Sequence, residues 1–381
     1  QNKSVTQWKT ENITENQTLI VTTREWQDNG TGLQAEFTEA SILADGNVNI
    51  ASGLDVNIQA VVQSAGTDQI LSVTAGRDVV LNGFVPEGSN STTIAAVAVL
   101  AADGAVIVTA GRDVDFDEFS SVAVDQDAGG VGNVSIVQIS AGRDVNLDGL
   151  ITALHTIEAT AGVSGSGSVN ATINAQLTTS GSDITLEAGS DSGDVVLSGA
   201  MLNEGYSTGT LTLLAPGGMI SQSDSTLSAT ELLARAEQGI TLMTNVGQLD
   251  VQNTGSGDID LLSVRSTALI APLSNPSGKI NATVFGVLTA GNIQADEITI
   301  RATGGLVQQD STAIQGGTLT LDTNSGDSTL RTELSDLVIR TGGTGNLTIN
   351  NIGTSPLTLN INVTDGSLTV DTAGDLLVQS V

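Results

Sequence analysis

The chain has 381 residues, 39% of them hydrophobic but only 2% aromatic, so the core it can build is aliphatic and layered rather than gathered around large aromatic anchors. With 42 acidic against 12 basic residues and a net charge of −30, its field disfavours nucleic acid and anionic lipid and favours cations and basic surfaces. The absence of cysteine excludes disulfides, thiolate metal sites and thiol redox chemistry.

Residues 1 to 40 differ in texture from everything that follows. They hold both tryptophans, Trp8 and Trp26, and two of the three lysines, Lys3 and Lys9. The expectation is a separate N-terminal element, either a cap over the first coil of a repeat structure or a strand that docks on another subunit.

From residue 41 to 381 the chain is repetitive. Ala75-Gly76-Arg77-Asp78-Val79 recurs as Ala110-Gly111-Arg112-Asp113-Val114 and as Ala141-Gly142-Arg143-Asp144-Val145, at intervals of 35 and 31 residues. Apolar residues alternate with polar ones on either side, as in Val79-x-Leu81, Val106-x-Val108 and Val145-x-Leu147, which reads as short strands with one buried face. Turn signals rich in Gly, Asp, Asn and Ser intervene, and the 44 glycines against 5 prolines suit many tight turns. In stacked coils, equivalent positions fall about 4.8 Å apart. Rows of Arg and Asp at a corner would therefore neutralise one another, and Gly76, Gly111 and Gly142 would supply turns that a Cβ obstructs. The six charged residues Arg77, Asp78, Arg112, Asp113, Arg143 and Asp144 are expected in that structural role.

This AGRDV motif, followed by alternating apolar residues, resembles the repeats of filamentous haemagglutinin-like giant bacterial exoproteins. The resemblance covers roughly residues 41 to 381. It implies the coils of a long β-helical shaft; the Asn-Pro-Asn motif of that family's secretion cap does not occur, Asn275-Pro276 being the only Asn-Pro pair.

Further elements follow along the chain. Ile94 to Ala102 is the longest nearly pure apolar run and falls far short of the roughly 20 residues of a membrane helix. Asp113, Asp115 and Asp117 alternate with Val114 and Phe116, which predicts three carboxylates on the solvent face of one strand and an oxygen-only set suited to Ca²⁺. His155 shares parity with Ile151, Ala153 and Ile157 and is expected on the apolar side of a strand as a satisfied, partly buried side chain. Leu227 to Gln238 is the one stretch with helical spacing, but its place inside a repeat favours strand and turn. The segment from Leu242 aligns without a gap on the segment from Leu330, an offset of 88 residues. Coils of roughly 25 to 30 residues would fit three to that block. Gly278-Lys279 precedes Ile280 and lacks the glycine spacing of a phosphate loop. Ten Asn-x-Ser/Thr sequons occur, at Asn2, Asn12, Asn16, Asn29, Asn90, Asn133, Asn170, Asn281, Asn346 and Asn362, and are candidate glycosylation sites in a secreted chain. The last residues, Gly374 to Val381, keep the repeat pattern. A shaft continued in a longer precursor, or head-to-tail stacking clasped by the segment bearing Trp8 and Trp26, is expected from that.

The fold expectation is all-β, a right-handed parallel β-helix with short strands and Gly-rich turns. The functional expectation is a non-catalytic structural repeat protein, extracellular or on the cell surface: a surface fibre, filament subunit or adhesin stalk. Its expected partners are copies of itself, other surface proteins or glycans, with no nucleic acid, no membrane insertion and no cofactor beyond the calcium set above. The alternative is a polysaccharide-binding or polysaccharide-degrading β-helix, which the charge disfavours for acidic substrates because a polyanion would meet a like-charged surface.

Overall fold

A computed structural model describes residues 20–21, 27–28, 33–34, 41–65, 68–83, 98–124, 135–163, 165–172, 174–179, 182–202, 209–265, 267–323 and 327–380. All regular structure among them is β-strand, so no helix there is long and apolar enough to cross a membrane. The strands stack in parallel as a β-solenoid, about 14 turns in all, and the chain divides into two compact units, residues 1–184 with 199–201 and residues 185–198 with 202–381.

In the first unit each coil runs through three strands. One face is built from Ser41–Ala44, Val61–Ser64, Ala98–Ala102, Ser120–Val124, Leu150–Ala153 and Gln176–Thr179, each paired in parallel with the next. A second face stacks Val48–Ser52, Ile70–Ala75, Ala105–Ala110, Ile136–Ala141 and Thr156–Thr160. The third stacks Val56–Ile58, Val79–Leu81, Val114–Phe116, Val145–Leu147 and Val169–Ala171. Because side chains alternate across a strand, the in-register pairing places like on like. Val56, Val79, Val114, Val145 and Val169 form one inward column, and Val48, Leu71, Val106, Val137 and Ile157 another. All ten are buried. Truncating one of the larger members to alanine costs about 2–5 kcal/mol, since neighbouring coils cannot collapse into the gap.

In the second unit a single column runs Val195, Ile220, Ile240, Ile259, Ile280, Ile298, Leu319, Leu337, Leu359, Val378. Consecutive members from Ile240 onward are 18 to 22 residues apart, as at Ile280 to Ile298 and Leu337 to Leu359. These rungs are shorter than the coil length expected from the sequence. The 88-residue block is not three coils: Leu242 stacks under Leu261, Ala282, Ile300 and Leu321, four rungs on, whereas Leu330 lies on the next strand, Ser328–Glu333. The three faces carry the same apolar alternation, so a sequence alignment can slip from one face to the next. Leu227–Ala236 is a strand, as its place in the repeat suggested.

Buried amides rivet the corners of this unit. Asn253 and Asn275, 1% and 0% exposed, share a hydrogen bond, Asn253 Nδ2 to Asn275 Oδ1 at 3.2 Å. Both also donate to the Gly257 carbonyl, at 2.8 and 2.9 Å, and Asn253 Oδ1 accepts from Gly239 N–H. A polar side chain inside an aliphatic solenoid is tolerated only when bonded in this way.

Residues 1 to 40 are described only at three short strands. Ile20–Val21 pairs antiparallel with Ile42 and Leu43, while Gln27–Asp28 pairs antiparallel with Leu33–Gln34. The first pairing covers part of the hydrogen-bonding edge of Ser41–Ala44, a place where an open strand would recruit others. Trp8 and Trp26 lie outside the described residues.

Candidate functional site

Two arrangements stand out, one in each unit. The first is a staircase of ion pairs at the corner before the third face of the first unit. Arg77 Nε donates to Asp55 Oδ1 at 2.6 Å, Arg112 Nε to Asp78 Oδ1 at 2.7 Å and Arg143 Nε to Asp113 Oδ1 at 2.8 Å. In every case a terminal nitrogen of the same guanidinium also reaches the second carboxylate oxygen, so each arginine grips the aspartate one coil below as a two-pronged fork. The backbone N–H of Asp78, Asp113 and Asp144 adds a third bond to the same carboxylate. At the bottom step Leu54 occupies the arginine position and is 66% exposed. At the top, where Gly167 stands at the arginine position, Asp144 accepts from Ser168 N–H at 2.9 Å and lies 3.2 Å from Arg143 Nε.

The electrostatics follow from the forks. The hydrogen bond from Arg77 is the main reason the Asp55 carboxyl is held below its ordinary range, with Asp78 N–H and the Arg77 charge acting the same way and partial burial acting against them. The three guanidiniums are pushed above their ordinary value, chiefly by the hydrogen bonds to their aspartates. The glycines serve close approach rather than an unusual backbone angle. A Cβ on Gly76, Gly111 or Gly142 would strike the carbonyl of Gly53, Gly76 or Gly111 on the coil below, and none of the three has a positive φ.

The carboxylates expected to share one solvent face do not. Asp113 precedes the strand and is buried at 6% exposure, committed to Arg143. Asp115 points outward within Val114–Phe116 and accepts from Asn146 Nδ2, which starts an amide ladder continued by Asn170. Asp117 follows the strand and bonds Phe119 N–H at 3.0 Å. Parity fails here because the strand is only three residues long. Among the described residues no three His, Cys, Asp or Glu side chains are gathered so as to hold a metal ion.

His155 sits in the turn between Leu150–Ala153 and Thr156–Thr160, not within a strand, so its parity with Ile151 carries no meaning. It is half-buried, and its Nδ1 accepts from Ser135 N–H at 3.2 Å. Of the sequons, Asn170 and Asn281 use their amide nitrogens on neighbouring coils, toward Asn146 and Asp260, and Asn346 Oδ1 accepts from Ser367. Asn362 is exposed. Asn2, Asn12, Asn16, Asn29, Asn90 and Asn133 lie outside the described residues.

The second arrangement was not anticipated from the sequence. In the second unit a groove of about 470 Å³ runs across successive rungs. Its floor includes buried Leu273 and Ala313. Along it runs an in-register row, Gln252, Ser274, Gln294, Gln315. Asn292 ties the wall together: its carbonyl accepts from Leu273 N–H at 2.9 Å and its Oδ1 from Ala313 N–H at 3.1 Å. Ser311, which also lines the groove, holds a left-handed φ of 65° that a non-glycine residue rarely adopts. Arg331 and Ile352 also line the groove, and Arg331 makes no ion pair among the described residues, unlike Arg235, which binds Asp250 at 2.7 Å, or Lys279, which binds Glu297 at 2.6 Å. Its backbone N–H bonds Gln308 Oε1, and the buried Nε2 of Gln308 has no acceptor. The signal was weak in sequence because the row is spread over residues some 20 apart, with no motif linking them.

Compared with protein-family models, curated proteins and solved structures, the chain matches none, so the resemblance to the haemagglutinin-like repeats rests on the AGRDV motif and on the β-solenoid architecture it implies.

Proposed function

We propose that the chain is a non-catalytic structural protein of the cell surface or extracellular space, acting as a stalk or filament segment whose length is set by the number of rungs. The observation that supports this reading most directly is the uninterrupted column from Val195 to Val378, in which every step is a parallel, in-register strand pair. Repeat stacks of this kind gain stability rung by rung and transmit load along the hydrogen-bonded ladder. The acidic surface keeps such segments soluble and discourages side-to-side association, while contacts at the ends remain available to further coils, to another copy of the chain or to a partner protein.

The test is cellular and microscopic. Protease added to intact producing cells should degrade the protein, and negative-stain images of the purified chain should show rods. A protein protected inside the cell, or globular particles in the images, would overturn the reading.

A further inference from the structure

We infer that the groove of the second unit is a binding site for a linear saccharide carrying one carboxylate, with Arg331 holding the acidic end and the row Ser274, Gln294 and Gln315 holding the hydroxyl-bearing remainder. This stands apart from the stalk reading: a stalk without the site, or the site on something other than a stalk, are both possible outcomes of the tests.

The groove's chemistry selects the ligand class. Its outward row consists of amides and a hydroxyl, Gln294 and Gln315 exposed and Gln252 and Ser274 half-buried, groups that both donate and accept, as sugar hydroxyls do. Neither Ser274 nor Gln294 has a side-chain hydrogen bond among the described residues, so both are available, whereas the Gln315 amide already leans on Glu333 at 2.9 Å. The row repeats at about 4.8 Å, the rise of one rung. That rise is close to the advance of one pyranose along an extended chain, so successive sugars meet successive rungs. A peptide strand is a poor fit, since the backbone edges here are consumed by the ladder on both sides: Ile293 and Gln294 pair with Leu273 and Ser274 below and with Ile314 and Gln315 above. Nucleic acid is opposed by the net charge of −30.

The cation decides the charge of the ligand. Arg331 is exposed and without an ion pair among the described residues, in a chain where acidic groups outnumber basic ones by 42 to 12. A guanidinium left free in such surroundings is an available fork for a planar carboxylate. Glu333 is the in-register position directly after Gln315 in the row, two residues along the same strand from Arg331 and exposed, and it limits how much negative charge the groove tolerates. One carboxylate is accommodated; a polyuronate, with a charge on every sugar, is not.

The experiment uses the full chain and four probes: a neutral linear gluco-oligosaccharide, the same chain ended by a single glucuronate, free glucuronate, and oligogalacturonate. Binding is read by saturation-transfer NMR and calorimetry, with thermal melts to verify folding. The glucuronate-ended chain should bind at least tenfold more tightly than any other probe. Arg331→Gln should reduce it to the level of the neutral chain, Gln294→Ala should weaken both, and Arg340→Gln, an exposed arginine outside the groove, should change nothing. No binding by any probe at millimolar concentration overturns the site. Equal binding of the neutral and glucuronate-ended chains, or tighter binding of oligogalacturonate, overturns the assignment of Arg331. Should Arg331→Gln fail to fold, Gln294→Ala carries the test, and unaltered binding in that variant also overturns the proposal.

Discussion

Arg143 and Asp113 stand one coil apart, 30 residues distant in sequence, and the guanidinium closes on the carboxylate from the solvent side: the arginine side chain is 55% exposed and the aspartate only 9%. The pair is thus lopsided, a nearly buried anion with a lid. Removing the lid leaves Asp113 with Asp144 N–H at 3.2 Å and a glancing contact to Arg112 Nε at 3.3 Å. Arg143→Met should therefore lower the melting temperature more than Arg77→Met, because Asp55 beneath Arg77 is 38% exposed and water replaces the lost bonds. Asp113→Asn added to Arg143→Met should recover part of the loss, since a neutral amide is cheaper to leave half-paired than a carboxylate. Equal drops for the two arginine variants would show that the buried carboxylate is not what matters.

The same staircase sets an acid limit. Asp55 has its carboxyl lowered in the folded protein from the ordinary 3.8, first by the hydrogen bond from Arg77. A lowered folded value means that the contribution to stability is complete above 3.8 and disappears as pH falls through the folded value. On the alkaline side, Lys279 is raised from 10.5 by its hydrogen bond to Glu297, so that contribution is complete below 10.5 and is lost as pH rises beyond it. Urea midpoints of the wild type and of Asp55→Asn should differ near neutrality and converge in acid below 3.8. Lys279→Met should show the mirror image, converging with wild type only at strongly alkaline pH. A difference independent of pH would mean that neither pair acts through ionisation.

How much of this was readable beforehand depends on the distance over which residues cooperate. The strand alternation around Val79, Val114 and Val145 and the corner role of AGRDV are local, so they were legible, and the β-solenoid follows from stacking them. That each arginine closes its two-pronged fork on the aspartate of the coil below, and keeps only a single longer contact with its sequence neighbour, is a fact of stacking, invisible in a pentapeptide. His155 and Asp113 were misplaced for one reason: period-two reasoning was carried through a turn, where the chain changes direction and the alternation restarts. The groove lay beyond reach because Ser274, Gln294 and Gln315 are ordinary outward residues until three rungs set them side by side.

The corner glycines supply a contrast with a built-in control. Gly111 has the Gly76 carbonyl directly below its missing Cβ, and the obstacle is backbone, which cannot swing aside. Gly53, at the equivalent corner of the first described coil, has nothing within 4 Å. Gly53→Ala should be neutral or stabilising by about 0.4–1 kcal/mol, through the lower entropy of the unfolded chain. Gly111→Ala should destabilise by more than that gain, because two coils must part locally and the fork from Arg112 to Asp78 that bridges them loosens with them. Equal, small effects at both positions in chemical denaturation would argue that the coils are packed less tightly at this corner than the geometry requires.

A rung of the second unit should be removable as a module. Ile220 stacks on Val195 and Ile240 on Ile220, so deleting residues 220–239, one rung of 20 residues, joins Met219 to Ile240 and sets Ile240 on Val195. Leu249, which pairs with Leu232, would come to rest on Leu211, which Leu232 now covers. Asn253, which pairs with Ala236, would come to rest on Ala215, which Ala236 now covers. The losses are one layer of buried side chains, the Arg235 to Asp250 ion pair, and the bonds from Gly239 N–H to Asn253 Oδ1 and from Met243 N–H to Gln222 Oε1. In a stack whose stability is a sum of rungs and their interfaces, the shortened chain should fold with a modestly lower melting temperature and an unchanged β-sheet circular dichroism spectrum. Deleting 220–240 instead, a single residue more, joins Met219 to Thr241 and flips the following strand, turning Thr241 and Met243 inward and Leu242 out to water. That variant should aggregate or fail to fold. If the two deletions behave alike, the register of the aliphatic column is not what specifies this unit, and the view of it as a stack of interchangeable rungs is wrong.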